Sequence, residues 1–206
     1  HVSNTMPAPY YRFDGSDDEI AIADNAHMSF GDGTSDSPFS ISAWINMEDA
    51  TSFEIVNKGT YNSDYEWRLN IEGDDKIYFV IADESVASTN EHVYTTSTVT
   101  AYEGKWIHVA ATYSGVGGTS ANAGMAIYIN GVAQAITLGG AGTYVAMENL
   151  GEEVRIGNYN DATYGKGSIG KLQIFNLELS AAEVKEFYSG ASVPFKYKGA
   201  NQTEMV

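Results

Sequence analysis

Phe39-Ser-Ile-Ser-Ala-Trp-Ile-Asn-Met47 is the stretch that decides the fold class. Side chains alternate along a strand, so Phe39, Ile41, Ala43 and Ile45 share one face while Ser40, Ser42, Trp44 and Asn46 share the other. The pattern is a half-buried strand with one Trp on its polar side. Similar short runs recur at 19–23, 52–58, 67–71, 76–82, 92–97, 106–113, 125–129, 154–156 and 168–175. Ten or more short strands predict a β-sandwich. One turn is explicit: Asn130-Gly131 offers the two positive-φ residues of a type I′ hairpin joining 125–129 to 132–137. Glu72-Gly-Asp-Asp75 reads as another hairpin turn. A single helix is expected after Ser180, which forms a capping box with Glu183; Val184, Phe187 and Tyr188 make its apolar stripe and Gly190 stops it. It should lid one edge of the sandwich. The Gly/Ser/Ala-rich piece 114–124 predicts a long mobile loop.

The chain has 206 residues, 43% of them apolar, enough for one cored domain. Residues 10–190 make that domain; 1–9 and 191–206 lack periodicity and read as an N-terminal linker and a C-terminal linker or tail. Eleven Lys and Arg against 27 Asp and Glu leave a net charge of −16, a field that repels nucleic acid. No apolar run suits membrane insertion. The absence of cysteine excludes disulfides, thiolate metal sites and a Cys nucleophile. Opening at His1, the chain reads as a processed or excised piece of something larger.

Five motifs in order carry a resemblance: Phe13-Asp-Gly15 with Asp17-Asp18, the strand 39–45, Gly104-Lys-Trp-Ile-His-Val-Ala-Ala-Thr-Tyr113, Ile127-Tyr-Ile-Asn-Gly131, and Gly167-Ser-Ile-Gly-Lys-Leu-Gln-Ile-Phe-Asn176 followed by Leu179-Ser180. Together they resemble the laminin G-like, concanavalin A-like jelly-roll domains, including the pentraxin branch, over residues 10–190. The resemblance implies an all-β jelly-roll β-sandwich of two antiparallel sheets with one short C-terminal helix. It also implies ligands and calcium on the concave face or on the loops at its rim. Phe39, Ile41, Ile45, Trp106, Val109, Ile127, Ile129, Ile156, Ile169, Leu172 and Ile174 are the expected core.

The catalytic sets of enzymes on this fold are missing from the sequence: there is neither the Glu-x-Asp-x-x-Glu strand of endoglucanases nor the Arg-x-Glu-x-Arg strand of alginate lyases. His108, inside a strand, reads as a structural histidine, and no triad can be assembled from His1, His27 or His92. Acidic and amide clusters are more informative, because Ca²⁺ takes six to eight oxygen ligands. One cluster is Asp14, Asp17 and Asp18, with a solvated turn as the plain alternative. The second is split in sequence. Alignment with pentraxins puts Asp64 at that branch's Asp/Asn pair, and Asn158, Asn160 and Asp161 at its carboxylate/amide run. Here fewer charges stand in those positions. Tyr61, Asn62, Tyr65, Trp67, Arg68, Tyr159 and Tyr164 fall beside this second cluster, and rings next to amides suit sugars. Trp67 fits the core and the ligand face equally well.

The expected ligand-binding set is therefore Tyr61, Asn62, Asp64, Trp67, Arg68, Asn158, Tyr159, Asn160, Asp161 and Tyr164; the expected metal ligands are Asp14, Asp17, Asp18, Asp64, Asn158 and Asp161. The leading expectation is a non-catalytic, calcium-assisted carbohydrate-binding (lectin-like) module of a larger extracellular or phage virion protein. Its partners would be a polysaccharide or glycan and the neighbouring domains. The alternatives are a structural or adhesion domain of a phage capsid or tail protein, and a polysaccharide-degrading enzyme with a non-standard site.

Overall fold

The computed structural model describes residues 9–60, 64–86, 89–159 and 163–189. In chain order they form β1 (Tyr10–Asp14), β2 (Ile20–Ile22), β3 (Phe39–Met47), β4 (Phe53–Thr60), β5 (Asp64–Ile71), β6 (Ile77–Asp83), β7 (Thr89–Thr95), β8 (Ile107–Tyr113), β9 (Met125–Ile129), β10 (Val132–Ala133), β11 (Ile136–Ala141), β12 (Val154–Ile156), β13 (Asn158–Tyr159), β14 (Thr163–Tyr164), β15 (Lys166–Phe175) and α1 (Ala181–Ser189). One sheet has the order β1-β15-β3-β8-β9-β10, the other β11-β7-β6-β5-β4-β12-β2, and β13 pairs with β14 alone. All these pairings are antiparallel. This is the expected jelly-roll sandwich.

Alternation explains the core. Ile41, Ala43 and Ile45 of β3 lie opposite Ala111, Val109 and Ile107 of β8, and all six are buried. Phe39 joins the sheets, stacked on Phe30 at 4.3 Å and edge-on to Phe79 at 5.5 Å. Each such side chain contributes about 1.5–3 kcal/mol by leaving water. Three expected core residues sit differently. Trp106 is three positions from Val109, so strand parity sends it to the opposite face, where it is half-buried and edge-on to Tyr10 at 5.2 Å. The register shifts between Gly170 and Gln173, with Lys171 at φ 48. This bulge turns Leu172 and Ile174, three and five residues beyond buried Ile169, toward the core margin, where both are half-buried.

Asn130 and Gly131 have φ of 52 and 74, as the type I′ turn demands. Their hairpin is shorter than expected, because after β10 the chain changes sheets and β11 pairs with β7. The capping box forms: Glu183 Oε2 accepts from the Ser180 backbone N–H at 2.8 Å and from its hydroxyl at 2.7 Å. Instead of lidding an edge, α1 covers the outer face of the six-stranded sheet. Val184 and Leu179 pack on Ala110 and Tyr128, while Tyr188 stacks on Trp44 at 5.8 Å. A polar-face Trp therefore becomes half-buried. The expected loop 114–124 contains a 3₁₀ turn, Gly118–Gly124, with Ala121 buried; Asn122 Nδ2 donates to the Gly139 carbonyl at 2.9 Å. Except for Pro9, the expected end segments lie outside the described residues.

Candidate functional site

The outer face of the seven-stranded sheet follows from the parity of β5. Trp67, Leu69 and Ile71 point inward, and Arg68 and Asn70 point outward. A register shift between Lys58 and Gly59 leaves Glu66 in a bulge, which also turns it inward. Trp67 therefore belongs to the core: it is fully buried, lies 6.2 Å from Phe30 and 6.0 Å from Phe39, and its indole N–H donates to the Met28 carbonyl at 2.8 Å. It presents no face to a ligand.

Two cross-strand rows span that outer face. In the first, Glu54, Asn70, Tyr78, Tyr94 and Thr137 are successive partners; in the second they are Arg155, Asn57, Arg68, Val80, His92 and Gly139. With strands about 4.8 Å apart, the rows run roughly 19 and 24 Å. Tyr78 and Tyr94 stack at 4.8 Å and 17°, with His92 6.1 and 6.2 Å from them, and all three are half-buried. A side chain at Gly139 would collide with the His92 ring, so the glycine lets the imidazole lie across the sheet. Burial, reinforced by Asp74, pushes the Tyr78 phenol up to about 12, and its hydroxyl donates to Asp74 Oδ2 at 3.2 Å. Burial lowers the His92 pKa, with the Glu72 carboxylate opposing the shift.

Arg68 is the hub beside this platform. Its Nε and Nη2 donate to the two oxygens of buried Glu54 at 3.2 and 2.7 Å, and Nη2 lies 3.0 Å from Glu72 Oε1. Burial pushes the Glu54 carboxyl up while the Arg68 guanidinium opposes it. The guanidinium also lies 3.8 Å from the centroid of the Tyr159 ring. Through this contact the β13/β14 hairpin borders the platform.

Of the residues expected from sequence, Arg68 and Tyr159 thus come together, but Tyr159 is 4% exposed and offers little area for stacking. Asn158 is buried, and its carbonyl accepts from Asn57 Nδ2 at 2.5 Å. That burial removes it from an exposed calcium rim. Asp64 is exposed at the start of β5, Tyr164 is half-buried opposite Asn158, and Tyr65 is 8% exposed. Tyr61, Asn62, Asn160 and Asp161 lie outside the described residues. Sequence reading missed the Tyr78/His92/Tyr94 platform, although the signal was present: polar aromatics alternate with Phe79 and Val93 in the paired strands β6 and β7.

Asp14, Asp17 and Asp18 converge, with ligand oxygens within 4.8 Å of one another, and all three are exposed. Asp14 Oδ1 accepts from the Ser16 N–H at 2.7 Å and Asp18 Oδ2 from the Asp14 N–H at 2.9 Å, so the turn itself aligns the carboxylates. Three carboxylates completed by water fit the oxygen set of a calcium ion. His108, as expected, is structural: Nε2 lies 2.8 Å from the Ser42 hydroxyl beneath α1. A cavity of about 400 Å³ opens between the sheet edges, lined by Tyr11, Phe13, Ile22, Met28 and Leu172, with Lys171 its single charged residue. It lacks the convergent polar groups that orient a sugar.

A family model described as the concanavalin A-like lectin/glucanases superfamily matches residues 14–185. No curated protein matches. Among solved structures, the botulinum neurotoxin serotype D binding domain superposes with TM-score 0.65 at 20% identity, covering 91% of this chain and 44% of that one. The serotype D ligand-binding domain in complex with N-acetylneuraminic acid gives 0.61 at 19%, covering 88% and 42%. The native heptameric SAP-like pentraxin from Limulus polyphemus gives 0.59 at 18%, covering 89% and 83%. The chain spans less than half the length of these toxin domains. Identities this low speak for a shared fold.

Proposed function

The chain belongs to the concanavalin A-like lectin/glucanases superfamily, and from that premise we propose that it is a non-catalytic carbohydrate-binding module of a larger extracellular or virion-surface protein. The observation that carries this reading is the half-buried, outward-facing Tyr78/His92/Tyr94 platform beside the Arg68–Glu54–Glu72 cluster. Flat rings take the C–H faces of a sugar, while carboxylates and amides take its hydroxyls. The neighbour bound to N-acetylneuraminic acid supports a sugar as the class of partner. Support for the non-catalytic reading comes from Glu54 and Glu72, which both hold one guanidinium instead of flanking an open space. The rim expected from sequence, Tyr61, Asn62, Asp64, Asn160, Asp161 and Tyr164, belongs to the same proposal as further ligand contacts. Calcium belongs in the same proposal at Asp14, Asp17 and Asp18, where it would act as a structural cation. Among the described residues, no helix is long and apolar enough to cross a membrane.

Affinity electrophoresis through a panel of polysaccharides, with and without Ca²⁺, tests the reading. Retardation of the wild type, lost in Tyr94→Ala at unchanged melting temperature, is the expected result. Migration unaltered by every polysaccharide in both conditions removes the proposal.

A further inference from the structure

The platform carries positive groups, but each is already engaged by carboxylates. Arg68 holds Glu54 through two nitrogens and Glu72 through one. Lys76, 5.1 Å above the Tyr94 ring, lies 3.0 Å from Asp74. At the far end of the second row, Arg155 faces Glu19 at 3.9 Å. Three cations thus meet four carboxylates, in a chain of net charge −16. A negatively charged ligand would have to displace Glu72 from Arg68 and compete with Glu54, a fully buried carboxylate that cannot lose its counter-ion cheaply.

We propose that this face is selective for uncharged polysaccharides and rejects sialylated, uronic-acid and sulfated ones, with Glu54 and Glu72 as the specificity-determining residues. The selectivity rests on the carbohydrate reading above. It arises because the two carboxylates occupy the guanidinium that would otherwise receive an acidic sugar, and because the surrounding field repels one.

The test uses the full chain in native affinity gels at 150 mM salt, where surface charges farther apart than about 8 Å are screened and nonspecific repulsion is damped. Xyloglucan, galactomannan, laminarin and dextran represent neutral chains; alginate, polygalacturonate, κ-carrageenan and polysialic acid represent anionic ones. The expected result is retardation by at least one neutral polymer and by none of the anionic ones. That retardation should weaken about tenfold when Tyr78 and Tyr94 are both replaced by Ala, which removes two stacking rings. Glu72→Gln, which frees one contact of Arg68 and leaves Glu54 in place, should produce retardation by polygalacturonate where the wild type shows none. Wild-type binding to anionic polymers with none to neutral ones overturns the selectivity while leaving a carbohydrate module in place. Retardation by neither class removes the carbohydrate reading and the selectivity with it.

Discussion

The ammonium of Lys58 lies 3.0 Å from Oε1 of Glu66, and neither side chain has any exposed surface. Three further oxygens complete the cage around Nζ at 2.8 Å each: Asp24 Oδ1 and the backbone carbonyls of Leu150 and Glu152. Glu66 in turn accepts from the Leu150 N–H at 2.8 Å and the Ser29 hydroxyl at 3.1 Å. An internal cation thus ties β4, the bulge of β5 and the segment before β12 into one unit.

Removing one partner of such a pair leaves the other charged and dry. Lys58→Met should therefore destabilise the fold by about 3–5 kcal/mol, read as a fall in the denaturant midpoint. Lys58→Met combined with Glu66→Gln should recover part of that loss, since the amide is neutral. A double variant no more stable than the single one contradicts this account of the pair.

Trp67 and Tyr94 should separate cleanly. Trp67→Ala opens a cavity among Phe30, Phe39 and Leu69 and orphans the Met28 carbonyl, costing about 3–5 kcal/mol in unfolding free energy. Any fraction that stays folded should bind glycan as the wild type does. Tyr94→Ala removes a half-buried ring from the outer face, so it should change stability by only about 1 kcal/mol and weaken binding. Melts paired with titrations check both, and the reverse assignment would show that the rows have been placed on the wrong face.

Burial lowers the His108 pKa from 6.5 to about 4. The unfolded chain takes up its proton near 6.5 and the folded chain only near 4, so between these values the unfolded state binds more protons and stability falls as pH falls. The full effect amounts to about 3 kcal/mol. In His108→Gln this component of the pH dependence should vanish, flattening melting temperature against pH between 6.5 and 4 relative to the wild type. Parallel curves for the two proteins would show that the histidine is not the group responsible.

Calcium at about 10 mM should raise the melting temperature by a few degrees, the shift expected for a weak site of the kind found in extracellular modules. Asp17→Asn should abolish the shift, because it removes one charge from the three converging carboxylates. Calcium-loaded protein whose melting temperature is indifferent to EDTA would argue against the site.

Alternation in 39–47 was enough to identify a sandwich strand and its inner face, because a two-residue period is a local property that burial then enforces. Asn130-Gly131 and the Ser180/Glu183 box were legible for the same reason: each is satisfied within four residues. The site was not local in this sense. Trp67 and Arg68 are neighbours in sequence, yet one is core and the other is the hub of the outer face, a division settled by the register of β5 against β4 and β6. The bulge that turns Glu66 inward is equally invisible in the sequence, since nothing near it encodes where Lys58 will lie. Tyr78 and Tyr94, 16 residues apart, become one stacked surface through antiparallel pairing. What the sequence by itself determined is therefore the period of each strand and the chemistry of its turns. Which strands adjoin, and hence which polar rings and charges share a face, only the tertiary structure decided, because cross-strand pairing joins residues whose separation along the chain carries no periodic signal.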